Sequence, residues 1–188
     1  MSAVFTPTRY KLSVEDYHKL GTAGVLTEDS RVELIEGDLI EMAPIGPKHA
    51  SVVDTLVALL APQARNQFRL STQNPLILRP RSEPQPDLML LKPRADRYAS
   101  SLPSAADVLV VIEVSDKTLE YDRGSKLSLY AHHGIPEYWI VDVQAKRIEI
   151  FRDPGPKGYT QEIQFGPPDV VSPQGLSGVS ISVAEIFA

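Results

Sequence analysis

The chain has 188 residues, enough for one domain of moderate size, and 43% of them are hydrophobic, so an ordinary core can form. No apolar run approaches the length of a membrane-spanning helix, and the absence of cysteine excludes disulfides and thiolate metal sites. A net charge of −5 counts against a general nucleic-acid coating protein, whose affinity would rest on phosphate contacts.

The first ten residues, Met1 to Tyr10, lack a charged segment followed by an apolar stretch, so no signal peptide is expected. Together with the missing cysteines this sets a cytoplasmic location as the expectation. Ser13 with Asp16 reads as a capping box, which predicts a short helix from about Val14 to Leu20, ended by Gly21 and Gly24. Arg31 to Met42 reads as two short strands around Glu36-Gly37-Asp38. Pro47 to about Phe68 is predicted as a long amphipathic helix. His49, Val52, Val53, Leu56, Val57 and Leu60 lie at helical spacing, and Pro62 kinks the helix or ends its first part. Strand patterns follow at Thr72 to Leu78, Asp87 to Leu91 and Val108 to Val114, with a loop from Lys92 to Ala106. Asp122 to His133 is the next helix, with Leu127, Tyr130 and Ala131 on its buried stripe and Gly134 as its stop. Tyr138 to Asp142 is another apolar strand. Lys146 to Arg152 and Tyr159 to Phe165 form a hairpin, and Val179 to Phe187 packs as a strand or short helix. The order predicts an α/β (α+β) mixed sheet with helices on its faces, in one domain over 1–188.

Two of these strands carry a carboxylate. Asp87 opens Pro86-Asp87-Leu88-Met89-Leu90-Leu91, and Glu113 sits in Val108-Leu109-Val110-Val111-Ile112-Glu113-Val114. Carboxylates in such runs are costly to desolvate without a cation or hydrogen bonds. Two on neighbouring strands repel, and a hard divalent ion such as Mg²⁺ or Mn²⁺, which favours oxygen ligands, is the usual remedy. With Lys126 on the following helix, the set could serve metal-assisted phosphodiester hydrolysis. Taken singly, each residue has a plainer reading. Asp87 after proline is a turn residue or cap, Glu113 is a strand end facing water, and Lys126 pairs with Asp122 one helical turn away.

Pro86-Asp87, Glu113 after an apolar strand, then a helix and a strand, resemble the PD-(D/E)XK nuclease superfamily, whose core runs helix, three strands, helix, strand. Glu113-Val-Ser-Asp-Lys-Thr118, Tyr121-Asp122-Arg-Gly-Ser-Lys126, Tyr130, Gly134 and Pro136-Glu-Tyr-Trp-Ile-Val-Asp142 resemble one branch, the Uma-type putative restriction endonuclease family. Glu33-Leu-Ile-Glu-Gly37, His49 and the closing Gly178…Ile186-Phe187 fit the same branch. The resemblance implies a restriction-endonuclease-like core over about 47–143 with added hairpins at both ends. It implies Asp87 and Glu113 as ligands of Mg²⁺ or Mn²⁺, with the Val114 carbonyl as a third oxygen. The superfamily places lysine two residues after the second carboxylate, where this chain has Ser115. Lys126 on the helix and Lys117 in the loop are the two substitutes, and Lys126 is preferred.

Further residues carry weaker signals. His49 lies on the apolar face of its helix, as a hydrogen-bonded structural histidine or as an auxiliary group facing the site. Glu36 is an auxiliary acid or the start of its turn. His132 and His133 diverge on a helix and make a poor metal pair. Tyr138 and Trp139 point to opposite faces of their strand and read as core. Asp122 reads as a helix cap. Arg79, Arg81, Lys92, Arg94 and Arg97 form a basic groove or, more plainly, solvated loop charge.

The expectation is therefore a metal-dependent hydrolase cutting DNA, with no membrane partner. It is expected to be a homodimer, because cutting both strands of a duplex favours two sites. Two rivals stand beside it. One is a catalytically weak or inactive nucleic-acid-binding or regulatory module on the same fold. The other is an enzyme hydrolysing a small phosphate ester in a closed pocket.

Overall fold

A computed structural model of the chain describes residues 8–27 and 29–188. Most of the opening stretch read for a signal peptide, Met1 to Pro7, lies outside the described residues. The chain divides into a smaller unit, residues 1–42 with 77–84, and a larger one, residues 43–76 with 85–188.

The smaller unit begins with helix α1 (Val14–Thr22). Ser13 and Asp16 form the predicted capping box, which satisfies the first amides of the helix. The helix runs past Gly21, which lies inside it, and Gly24 at φ 71 follows its end. Strands β1 (Val32–Ile35) and β2 (Asp38–Glu41) pair antiparallel around Glu36 and Gly37. Bridges of Leu34 to Glu83 and of Leu78 to Ser82 tie in the 77–84 segment.

The larger unit is built on a six-stranded sheet. Its strands are β3 (Arg69–Thr72), β4 (Leu88–Leu91), β5 (Val108–Ser115), β6 (Glu137–Asp142), β7 (Arg147–Gly155) and β8 (Gly158–Phe165), in that spatial order. Only β5 and β6 are parallel. A parallel pair needs a crossover, and the helical segment 119–132 supplies it. Helix α2 (Pro47–Leu60) lays Val52, Val53, Leu56 and Leu60 into a core shared with Leu88, Leu90, Val110, Ile112, Trp139 and Val141. The opposite face is aromatic, with the Tyr130 and Tyr138 rings 4.9 Å apart and Phe151 and Tyr159 beyond them. With both faces covered, β4 and β6 are buried at every position, which is why they read as continuous apolar runs rather than alternating ones. Trp139 and Tyr138 do take opposite faces. A short pair, β9 (Val170–Val171) and β10 (Ile181–Ser182), and helix α5 (Val183–Ile186) complete the unit, so the tail is both strand and helix.

Four expectations are corrected. Helix α2 stops at Leu60 instead of reaching Phe68; a 3₁₀ turn at Ala61–Gln63 contains Pro62, and Arg65 and Asn66 take positive φ, which no helix continues through. The strand expected at Thr72 to Leu78 lies earlier, at Arg69–Thr72, because Gln73 turns the chain at φ 50 and Pro75 has no amide to give a ladder. The crossover helix starts three residues early, as α3 (Leu119–Tyr121), so Thr118 and not Asp122 stands at its cap. It then passes through a π-turn at Asp122–Lys126 before α4 (Leu127–His132). The wider turn moves the buried stripe: Lys126, Leu129, Tyr130 and Ala131 are buried and Leu127 only half so.

Candidate functional site

The sheet register brings the two carboxylates together. Leu88 pairs with Ile112 in the antiparallel β4–β5 ladder, so Asp87, one residue before β4, comes opposite Glu113. Their groups interlock. Asp87 Oδ2 accepts the Val114 amide at 2.9 Å, and Glu113 Oε2 lies 3.4 Å from the Asp87 amide. Val114 N–H points towards Asp87, and an extended residue directs its carbonyl to the same side as its amide.

The π-turn supplies the cation. Lys126 Nζ lies 3.0 Å from Glu113 Oε1, with the two side chains 9% and 5% exposed. The Tyr130 hydroxyl donates to the same oxygen at 2.7 Å. Lys126 and Tyr130 are four residues apart on consecutive turns and so share a face. The turn is held from both sides. Ser115 and Thr118 each donate a hydroxyl to Asp122 Oδ2 at 2.6 Å, and the Tyr138 hydroxyl donates to the Asp122 carbonyl. On the flank, the Arg123 guanidinium grips buried Glu149 with both Nε and Nη2. Arg147 adds a contact to Glu149 at 3.2 Å. Such π-turns inside helices are frequent at functional sites.

His49, in the first turn of α2, places Nε2 3.0 Å from Asp87 Oδ2. That hydrogen bond raises its pKa above the ordinary imidazole value. Burial works against the rise, and the charges of Asp87, Asp116 and Asp122 assist it. Its Nδ1 is buried with no protein hydrogen-bond partner. Of the remaining candidates, Lys117 is exposed on the turn after β5. Glu36 belongs to the smaller unit and takes φ 48 in its hairpin turn, with its amide on Ser82 Oγ. His132 is exposed at the end of α4. Of the loop cations, Lys92 is engaged by the Ala106 carbonyl, Arg94 by Asp96 and the Tyr98 ring, and Arg79 by Glu15, while Arg81 and Arg97 are exposed.

The donor set fits a hard divalent cation. It offers two adjacent carboxylates and a neighbouring main-chain carbonyl, all oxygen. Among the described residues no group of three or more His, Asp or Glu side chains stands in ligand geometry, so water would complete such a shell. Tyr130 was expected on the buried stripe and among the residues of the family resemblance, but with no role for its hydroxyl. The signal available was its position one turn beyond Lys126. The Ser115–Thr118–Asp122 network left no such trace, because it depends on a π-turn that no periodicity announces.

A family profile described as "Putative restriction endonuclease", Uma2, matches residues 14–184. Among solved structures the chain is similar to "a putative nuclease belonging to DUF820" from Anabaena variabilis ATCC 29413. The TM-score is 0.73 at 17% identity, over 94% of this chain and 97% of that one. At that identity the likeness concerns the fold, and it is the fold expected from the order of elements. No curated protein matches the chain.

Proposed function

The chain belongs to the Uma2 putative restriction endonuclease family, and from that membership and the geometry around Asp87 we propose that it is a metal-dependent endonuclease hydrolysing DNA phosphodiester bonds. The observation that carries this reading is the β4–β5 register, which opposes Asp87 and Glu113, with Lys126 Nζ 3.0 Å from the second carboxylate.

Asp87, Glu113 and the Val114 carbonyl would hold Mg²⁺ or Mn²⁺. When bound, the cation supplies Lewis acidity, offsetting charge on the phosphate and making water acidic enough to attack at neutral pH. In the reaction a water oxygen bonds to phosphorus and the ester bond to the sugar oxygen breaks. The water gives up a proton to solvent, and the leaving oxygen takes one from solvent. Lys126 sets its ammonium where the phosphate's negative charge grows. His49 and the Val114 amide hold Asp87 Oδ2, and Tyr130 and Lys126 hold Glu113 Oε1, so both carboxylates are oriented before substrate arrives. Cutting both strands of a duplex takes two such sites, so the reading includes a homodimer.

Nicking of supercoiled plasmid in Mg²⁺ or Mn²⁺, wild type beside Asp87→Ala and Lys126→Ala, tests the proposal. Cleavage that needs the metal and vanishes in both variants is expected. Wild type that cleaves neither duplex DNA, single-stranded DNA nor RNA in any divalent metal would replace the nuclease with a binding module on the same fold. Cleavage surviving both substitutions would refute the site.

A further inference from the structure

In a chain of net charge −5, three cations line one concavity of the smaller unit. Arg9, Lys11 and Arg81, with Thr8 and Tyr10, surround about 360 Å³. The backbone beneath is fixed. The Leu12 amide donates to the Gly37 carbonyl at 3.0 Å, and the Gly37 amide donates to the Arg81 carbonyl at 2.7 Å. Gly37 takes φ 84, and a Cβ there would stand 2.7 Å from the Lys11 Cβ, so only glycine lets these segments meet. Lys11 is engaged by Asp38 at 2.5 Å, while Arg9 and Arg81 are exposed. Between them Tyr10 presents its ring at 81% exposure, gaining little from burial.

Cations and an exposed flat ring on a fixed frame suit a ligand that carries both phosphate and a free π-face. Nucleic acid supplies both, but a base in a duplex is already stacked on its neighbours. An unpaired base is not, and aromatic stacking on successive unpaired bases is how strands are gripped without sequence preference. We propose that this concavity grips a single-stranded stretch of nucleic acid, with Arg9 and Arg81 on its phosphates and Tyr10 stacked on a base. The proposal rests on the nuclease reading only for why the chain meets nucleic acid. The grip itself uses no residue of the Asp87 cluster.

Fluorescence anisotropy of a labelled oligothymidylate in EDTA, across a salt series, tests it beside the duplex with oligodeoxyadenylate. The single strand is expected to bind more tightly. Tyr10→Ala is expected to weaken it about fivefold or more and to leave the duplex unchanged. Arg9→Ala and Arg81→Ala should each reduce the slope of log affinity against log salt by about 0.7. Single-strand binding unchanged in all three variants would overturn the proposal. So would displacement of the strand by an equal concentration of thymidylate, which would make this a mononucleotide site. Cleavage measured in parallel separates the two readings. Wild type that cleaves while Tyr10→Ala binds normally removes the grip and keeps the nuclease. Wild type that binds through Tyr10 and never cleaves does the reverse.

Discussion

Replacing Lys126 with methionine removes a buried ammonium while keeping an unbranched apolar stem. The Glu113 carboxylate, only 4% exposed and across the ladder from Asp87, then loses its cation. Removing one partner of a buried pair costs up to about 3–5 kcal/mol, because the other charge stays buried with less to compensate it. Glu113→Gln alone is expected to destabilise as well, because the buried ammonium then loses the carboxylate 3.0 Å away. The double variant has neither charge, and the Gln amide oxygen still accepts from the Tyr130 hydroxyl. It should therefore be destabilised by less than the sum of the single costs, with a coupling of a few kcal/mol. Urea unfolding of the four proteins in EDTA measures this. The chain's one tryptophan, Trp139, lies fully buried in the same unit and reports the transition. Coupling is read from midpoints at constant slope. A Lys126→Met variant within about 1 kcal/mol of wild type, or single costs that simply add, would refute the buried pair.

Tyr130→Phe keeps the ring against Tyr138 and removes only the hydroxyl on Glu113, so a loss of about 1.5–3 kcal/mol is expected in the same urea assay. An unchanged midpoint would mean that the hydroxyl does not bond the carboxylate. Gly37→Ala forces a positive φ and a clash with Lys11, and should cost more than the roughly 1 kcal/mol typical of such a backbone penalty, seen as a lower Tm in a thermal melt. At alkaline pH, burial holds the Tyr138 and Tyr159 phenols above their ordinary value, while in the unfolded chain both ionise near pH 10. The folded protein then binds more protons than the unfolded one, so stability is full below pH 10 and falls as pH rises above it. The slope is about 1.4 kcal/mol per pH unit for each tyrosine. Phenolate absorbance that appears together with loss of circular dichroism, rather than before it, is the expected result.

The elements carrying strong local signals were legible in the chain. Ser13 and Asp16 announced a cap. Asp87 to Leu91 and Val108 to Val114 announced strands as apolar runs, and the structure shows why they do not alternate, since burial on both faces removes alternation. What failed were boundaries set by backbone geometry. Pro62 ended the first part of the helix, one of the two outcomes expected of it, but Arg65 and Asn66 at positive φ kept the helix from resuming to Phe68. Gln73 and Pro75 displaced a strand that β-branched and apolar residues alone would have placed later. The site was legible in part. Asp87 and Glu113 stood out as carboxylates in apolar runs and Lys126 only through the family resemblance, whereas the role of the Tyr130 hydroxyl was not legible because a hydroxyl changes periodicity not at all.

The sequence by itself determined which residues are apolar and which charges burial would make costly. Those are properties of residues and near neighbours. Tertiary structure alone decided that Asp87 stands opposite Glu113, since register across two strands depends on the ladder and not on either strand. It also decided the π-turn at Asp122–Lys126. One extra residue in that turn lets Asp122 meet Ser115 while Lys126 and Tyr130 meet Glu113, an outcome fixed by packing against β5 rather than by helix propensity.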